Sequence, residues 1–179
     1  MLNRLLNTGV VDNPRYSIFS NGSELSHDFV VQSISISKSV NKIPTAQLVL
    51  KDGDIPREIF PTSNRDEFVP GAEIEIQMGY RDEQETVFTG IVIKHGIKSQ
   101  YKASSQLIIE LKDPAIKMTV GRKNQIFEEM SDSDIIQQIL ANYDLSPDVE
   151  STSVNHSEMI QYYCTDWDFI VTRAEANGK

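Results

Sequence analysis

The sequence contains a single cysteine, Cys164, among its 179 residues. One cysteine cannot form a disulfide within the chain, so nothing indicates folding in an oxidising compartment. Apolar runs that approach the roughly 20 residues of a membrane-spanning helix are also lacking. The first residues carry neither a long apolar stretch nor a small-residue cleavage site. We therefore expect no signal peptide and no stable membrane anchoring, with assembly in the cytoplasm and export only by a dedicated machine.

Basic residues are scarce relative to acidic ones. Lysine and arginine number 17 against 26 aspartate and glutamate residues, which gives a formal net charge of -9. Proteins bind nucleic acids mainly by neutralising phosphates with lysine and arginine, so the charge balance argues against a nucleic-acid partner. It argues equally against docking on an anionic membrane. Hydrophobic residues make up 39% of the chain, which is enough for a globular core.

Motifs that bind metals, nucleotides or reacting substrates are missing. The three histidines, His27, His95 and His156, are far apart in sequence, and none belongs to an H-E-x-x-H or C-x-x-C cluster. There is no G-x-x-x-x-G-K-[ST] loop, no G-x-G-x-x-G and no G-x-S-x-G elbow. We therefore expect no metal, no cofactor and no catalytic residue, and Cys164 is interpreted as a small packed residue.

Three close pairs of acidic residues are the remaining candidates for chemistry. These pairs are Asp52/Asp54, Asp132/Asp134 and Asp166/Asp168. A glycosidase-like site needs two carboxylates held apart across a cleft. The last two pairs instead stand where helices are predicted to begin, where carboxylates cap free N–H groups and complement the helix dipole. The first pair flanks a turn glycine. We therefore interpret all three pairs as structural.

Alternation of apolar and polar residues predicts antiparallel strands from residue 28 to residue 120. Side chains alternate between the two faces of a strand, so each alternating set should face a common core. Five or more strands at this spacing predict an antiparallel barrel-like domain, with Gly90 marking a bulge or a barrel corner. The residues predicted to be mostly buried are Val30, Ile34, Ile36, Leu48, Leu50, Ile74, Ile76, Phe88, Ile91, Ile93, Leu107, Ile109 and Leu111.

Helical spacing replaces alternation after Gly121. Ser131 and Thr165 each precede a carboxylate by three residues and an apolar run of helical period, so both are predicted helix caps. The predicted fold is therefore α+β and mainly β. Its predicted parts are an N-terminal extension and first turn (1–27), a β-barrel domain (28–120) and a helix-rich segment that begins a second, truncated barrel (121–179).

Two segments carry a family resemblance. YCTDWDFIVTRAEANG, Tyr163 to Gly178, resembles the Q-Y-x-E-S-D-W-D-F segment and following helix of VgrG spike proteins, although Cys164-Thr165 replaces the usual Glu-Ser. FTGIVIKHG, Phe88 to Gly96, resembles the F-x-G strand of that family. The matching residues are Phe88, Gly90, Gln161, Tyr162, Asp166, Trp167, Asp168, Phe169, Arg173, Glu175 and Gly178.

The resemblance implies a structural role in a type VI secretion system or a contractile phage baseplate. Family members are hubs at the base of the tail spike, homotrimeric in full-length form, that join the tube to the spike and deliver effectors. The implied partners are tube and baseplate proteins, with effectors as possible cargo. Because members continue into a second barrel and a needle, we expect this chain to be a fragment.

Two other functions remain open. A small barrel could instead be a non-catalytic binding module that holds a peptide or glycan at its open face or loops. Trp167, Tyr162 and Tyr163 could form a ligand-stacking surface, but core or interface packing is favoured because large aromatics dominate such burial. A hydrolase built on scattered carboxylates is the third alternative, and the capping roles predicted for those carboxylates disfavour it. A hub should form trimers, whereas a binding module should be monomeric, so the assembly state separates the first two.

Overall fold

The computed structural model describes residues 14–53, 60–80, 83–99, 105–145 and 147–179. It confirms an α+β fold that is mainly antiparallel β. The nine described strands are β1 (Pro14–Ser20), β2 (Ser23–Glu24), β3 (Val31–Ser37), β4 (Thr45–Lys51), β5 (Glu73–Tyr80), β6 (Glu83–Lys98), β7 (Gln106–Lys112), β8 (Lys123–Ser131) and β9 (Asn155–Cys164). The helices are α1 (Asp132–Leu140), α2 (Asp166–Ala176) and two 3-10 helices, Asp66–Phe68 and Pro114–Thr119.

Seven strands form one antiparallel sheet in the order β2-β1-β5-β6-β7-β4-β3. Among the described residues the two edges, β2 and β3, are not hydrogen-bonded to each other, so the barrel-like sheet is open. Leu48, Ile76 and Ile109 are fully buried on its inner face, as alternation predicts. Phe88 and Val92 of β6 complete this core.

The segment assigned to an N-terminal extension, 1–27, contributes to this sheet. Residues 1–13 lie outside the described residues, but β1 pairs with β5 along its whole length, from Pro14 to Ser20. Ile18 is buried in the core. The prediction missed β1 because PRYSIFS has only two aliphatic or aromatic residues of inward parity, too few for a convincing alternation.

Two residues predicted to be buried are exposed, and β-bulges explain both. Gln32 has no partner in the β3–β4 register, so the bulge shifts the alternation by one residue; Val31 then faces inward while Val30 is 53% exposed. Ile93 is skipped in the β6–β7 register and is 37% exposed for the same reason. The predictions for Val30 and Ile93 were therefore wrong, and Ile34, Ile36 and Ile91 are half-buried rather than buried.

Gly90 of β6 lies close to the backbone of β7. A Cβ at this position would stand 2.6 Å from the carbonyl oxygen of Lys112 and 2.6 Å from the ring of Phe88. Any larger residue would push the two strands apart. The glycine of the F-T-G motif is therefore required by close backbone approach, with the bulge itself three residues further on.

The chain after Gly121 folds around a second β-structure. β8 and β9 form a two-stranded antiparallel sheet, and α1 and α2 pack against one of its faces. Sequence patterns predicted both helices but missed β8, whose residues KNQIFEEMS hold few apolar side chains. Within the described parts of the chain, no helix combines the length and apolar character needed to cross a membrane.

Candidate functional site

Asp166, the first residue of α2, is the centre of a buried polar cluster. Its side chain is 2% exposed. Gln161 Nε2 donates to Oδ1 at 2.8 Å, and the Tyr143 hydroxyl donates to Oδ2 at 2.6 Å. Lys123 Nζ lies 2.5 Å from the same Oδ2. One carboxylate thus joins β8, β9 and the turn after α1 to the start of α2, and we name this set the Asp166 cluster.

Burial and hydrogen bonding act in opposite directions on Asp166. Burial raises the pKa of its carboxyl, but the hydrogen bonds from Gln161, Lys123 and Tyr143 outweigh burial and hold that pKa below its ordinary value. The hydrogen bond to Asp166 raises the pKa of Lys123. Burial, together with the hydrogen bond to Asp166, raises the pKa of the Tyr143 hydroxyl. At neutral pH the cluster is therefore an ion pair with a neutral phenol.

Asp132, the first residue of α1, forms the second cluster. Arg173 of α2 binds it with two bonds, Nε to Oδ1 at 2.6 Å and a terminal guanidinium nitrogen to Oδ2 at 2.9 Å. Asn177 donates to Oδ2 at 2.9 Å, and His156 Nε2 lies 3.2 Å from it. Arg173 is the main cause that lowers the pKa of Asp132 far below its usual range, against the effect of burial. We name this set the Asp132 cluster.

Aromatic packing supports both clusters. Phe169 of α2 stacks on Phe127 of β8 with 5.8 Å between ring centroids and 17° between planes. Ile135 and Ile139 of α1 complete this core. Trp167 faces the other way and packs with the core formed by Ala115, Met118 and Leu140. The D-W-D-F segment therefore places its aromatic side chains in two cores, Phe169 in the one between the helices and the β8–β9 sheet and Trp167 in the one against the 3-10 helix Pro114–Thr119.

The helix ends have the capping interactions that their sequences suggest. The Ser131 hydroxyl accepts from Asp134 N at 3.2 Å and donates to the Asp134 carboxylate at 2.6 Å. Thr165 makes the same pair of contacts with Asp168, at 3.1 Å and 2.7 Å. Gly178, with a φ of +72°, ends α2 and lets the Lys179 amide reach the Ala174 carbonyl at 3.1 Å.

We expect the two caps to contribute measurably to stability. Thr165→Ala should lower the free energy of unfolding by about 1 kcal/mol, and Ser131→Ala by about 2 kcal/mol because its hydroxyl is buried. Thermal and urea unfolding would measure both. Ser153→Ala removes an exposed hydroxyl from the loop before β9 and should change the free energy by no more than about 0.5 kcal/mol. Cap variants as stable as Ser153→Ala would contradict the prediction.

The other predicted residues lie outside the two clusters. Phe88 and Gly90 belong to the sheet. Tyr162 is 80% exposed on β9, and the carboxylate of Glu175 accepts from Asn41 at 2.7 Å, linking α2 to the loop after β3. Asp52 is buried and accepts from Thr62 N at 3.0 Å, whereas Asp54 lies outside the described residues.

Candidate metal ligands do not converge in the part of the chain that the structure describes. It contains no group of three or more histidine, cysteine, aspartate or glutamate side chains placed to hold an ion. His27 is exposed, His95 Nδ1 lies 3.3 Å from the Phe68 carbonyl, and His156 belongs to the Asp132 cluster. The acidic groups with the most polar contacts, Asp132 and Asp166, are both neutralised by cations of the chain itself.

Three solved structures with the same fold are a type VI secretion component and two tail proteins. The E. coli c3393 protein, a type VI secretion component described as structurally similar to the T4 tail proteins gp27 and gp5, matches with a TM-score of 0.62 and 15% identity over 86% of this chain. The 43 kDa tail protein of Shewanella oneidensis prophage MuSo2 matches with a TM-score of 0.69 and 12% identity over 93%. A tail protein of Neisseria meningitidis MC58 matches with a TM-score of 0.65 and 16% identity over 93% of this chain.

The chain spans less than half the length of each of these structures, 41%, 49% and 47% respectively. At 12% to 16% identity the likeness establishes the fold. Curated protein sequences give no match. A family model does match, under the description "Alg8 N-terminal domain", and it covers residues 10–179, nearly the whole chain. The chain therefore belongs to the Alg8 N-terminal domain family.

Proposed function

We propose that this chain is a structural component of a contractile injection apparatus, in the hub at the base of its spike. The observation that carries the proposal is the fold shared over 86% to 93% of the chain with a type VI secretion component and two tail proteins, one of them from a prophage. The D-W-D-F resemblance supports the narrower assignment to VgrG-like spike proteins. In this proposal the complete protein is a homotrimer that contacts tube and baseplate proteins, and its delivery role includes effectors as cargo.

The two clusters suit a part that must transmit force. Each places a buried carboxylate at the first residue of one helix and connects it to residues 23 to 45 positions away. Bonds between distant segments resist separation of those segments, so α1, α2 and the β8–β9 sheet form one packed unit. Because both carboxylates serve this packing, we propose that the chain has no catalytic activity, and that it is assembled in the cytoplasm and exported by the machine.

We expect the complete gene product to be trimeric. Cyclic homo-oligomers reuse one pair of complementary surfaces through head-to-tail contacts, and obligate interfaces commonly bury more than about 2,000 Å² in total. Light scattering coupled to size-exclusion chromatography would measure its mass at several concentrations and salt levels. This 179-residue chain, with a charge of -9 per copy, should associate only weakly in the same assay.

The same assay separates the hub from a binding module. A complete gene product that stays monomeric at every concentration and salt level would refute the hub. The alternative function, a barrel that binds a peptide or a glycan, would then become the better explanation.

A further inference from the structure

The outer face of the β8–β9 sheet combines two features that are unfavourable in water. Ile126 and Ile160 are direct cross-strand partners, and they are 59% and 52% exposed. In the next row on the same face, Glu128 is the direct partner of Glu158, and both side chains are exposed. Like charges directly opposite each other destabilise an antiparallel pair. This face, which we name the acidic face, is therefore better suited to contact with an apolar, cationic surface.

The outer face of the seven-stranded sheet carries the complementary arrangement. Val49 of β4 is the direct partner of Ile108 of β7, and both are half-buried. In the next row Lys51 is the partner of Gln106, and Gln106 is in turn the partner of Lys98 on β6. Both lysines are exposed, and within the described residues neither forms an ion pair. We name this surface the basic face.

The two faces match row by row. On the acidic face, Glu128 lies two residues after Ile126 on β8, and Glu158 lies two residues before Ile160 on β9. The basic face has the same order, with Lys51 two residues after Val49 and Gln106 two residues before Ile108. Rows two residues apart lie about 6.7 Å from each other in any antiparallel sheet. When one face lies on the other, the apolar rows can therefore meet while the glutamates reach the lysines.

We propose that the acidic face of one copy docks on the basic face of a second copy of this chain. The second copy is the occupant because the charge that the acidic face needs is present on the chain itself, in an otherwise acidic protein. The two faces are different surfaces, so the contact is head-to-tail and can close into a ring. This inference rests on the homotrimer proposed above and names the surfaces that meet within it.

A charge-swap experiment tests the contact. The first variant, Glu128→Lys/Glu158→Lys, turns the acidic face positive, and the second, Lys51→Glu/Lys98→Glu, turns the basic face negative. Each variant alone should self-associate at least tenfold more weakly than the parent chain in sedimentation equilibrium, because like charges then meet. An equimolar mixture of the two variants should recover association, because the altered faces complement each other.

Controls of matched charge separate this contact from general repulsion. Glu83→Lys/Glu85→Lys and Lys38→Glu/Lys117→Glu alter exposed residues outside both faces by the same net charge as the two test variants. Because both faces are intact in these controls, each should self-associate as the parent chain does, alone and when the two are mixed. A parent chain that stays monomeric up to about 1 mM, or test variants whose mixture stays as weak as each alone, would overturn the proposal.

The same four substitutions in the complete gene product distinguish this proposal from the proposed function. If the gene product is trimeric and stays so in each test variant, the contact is wrong and the hub proposal stands. If the unaltered gene product is monomeric, the hub proposal itself fails.

Discussion

Asp166→Ala should lower the free energy of unfolding by about 3 kcal/mol, because it removes the acceptor that three donors share. Gln161 is fully buried, and its Nε2 group would lose its contact at 2.8 Å. The Tyr143 hydroxyl would lose its acceptor as well, whereas Lys123, with 41% of its side chain exposed, can turn to water. Urea unfolding at pH 7 measures the loss.

Asp168→Ala is the matched control, since it removes the same charge from the same turn of α2. Asp168 is exposed and contacts only the cap residue Thr165 among side chains, so its loss should cost less than about 1 kcal/mol. Asp166→Asn keeps one acceptor oxygen for Gln161 and should fall between the two. Equal destabilisation by Asp166→Ala and Asp168→Ala would show that helix-dipole effects, rather than the buried cluster, explain the role of Asp166.

The central strands could be predicted from sequence because their alternation is long and most of their inner residues are large. Leu48 and Leu50 share one parity within β4, and Leu107, Ile109 and Leu111 share one parity within β7; all five are essentially fully buried. A slip of one residue would expose the whole set, so such a pattern fixes its own orientation. Strands at the margins of the fold carry a weaker signal.

Bulges and edge strands escaped prediction for local reasons. A bulge changes the parity of every later residue, and nothing in the letters VVQSIS marks Gln32 as the residue without a partner. Phe127 is the one fully buried hydrophobic residue of β8, and it lies among charged and polar neighbours. Its partner β9 has polar residues on both faces. The two-stranded sheet therefore lacks the regular alternation that reveals a half-buried strand.

The sequence predicts the helix caps of the candidate site, but it does not predict the two clusters of polar contacts. A cap lies within four residues of its partner, so Ser131 and Thr165 could be recognised from spacing. Asp132 and Asp166 were placed correctly at helix starts, but their cationic partners are 41 and 43 residues away in the chain. Tertiary packing alone decides which distant cation meets which carboxylate. The one available signal was Arg173, an arginine in the last turn of α2, within the segment that resembles the VgrG motif.

Arg173→Met should lower the free energy of unfolding by about 3 to 5 kcal/mol at pH 7, because it leaves a buried carboxylate without its main counter-charge. Asp132 is 4% exposed, and only Asn177 and His156 would remain beside it. Methionine keeps most of the apolar volume of the arginine stem, so the loss reports on the ion pair rather than on a cavity. Lys179→Met is the control: it removes an ion pair with Glu150 in which both side chains are more than half exposed, and should cost under about 1 kcal/mol.

The pH dependence of this loss identifies the charge as its cause. Arg173 lowers the pKa of Asp132 in the folded state, so the ionised carboxylate stabilises the fold above its unfolded pKa of about 3.9. That contribution is lost as the pH falls from about 4 towards the lower folded pKa. In Arg173→Met, the main cause that lowers the pKa of Asp132 is removed while burial still raises that pKa, so the carboxyl protonates at a higher pH than in the parent. The difference in free energy of unfolding between parent and variant should therefore shrink as the pH falls from about 5 to about 2 in urea titrations. This range extends about one to two units on either side of the unfolded pKa. A difference that stays constant over this range would mean that Arg173 acts through packing and not through its pair with Asp132.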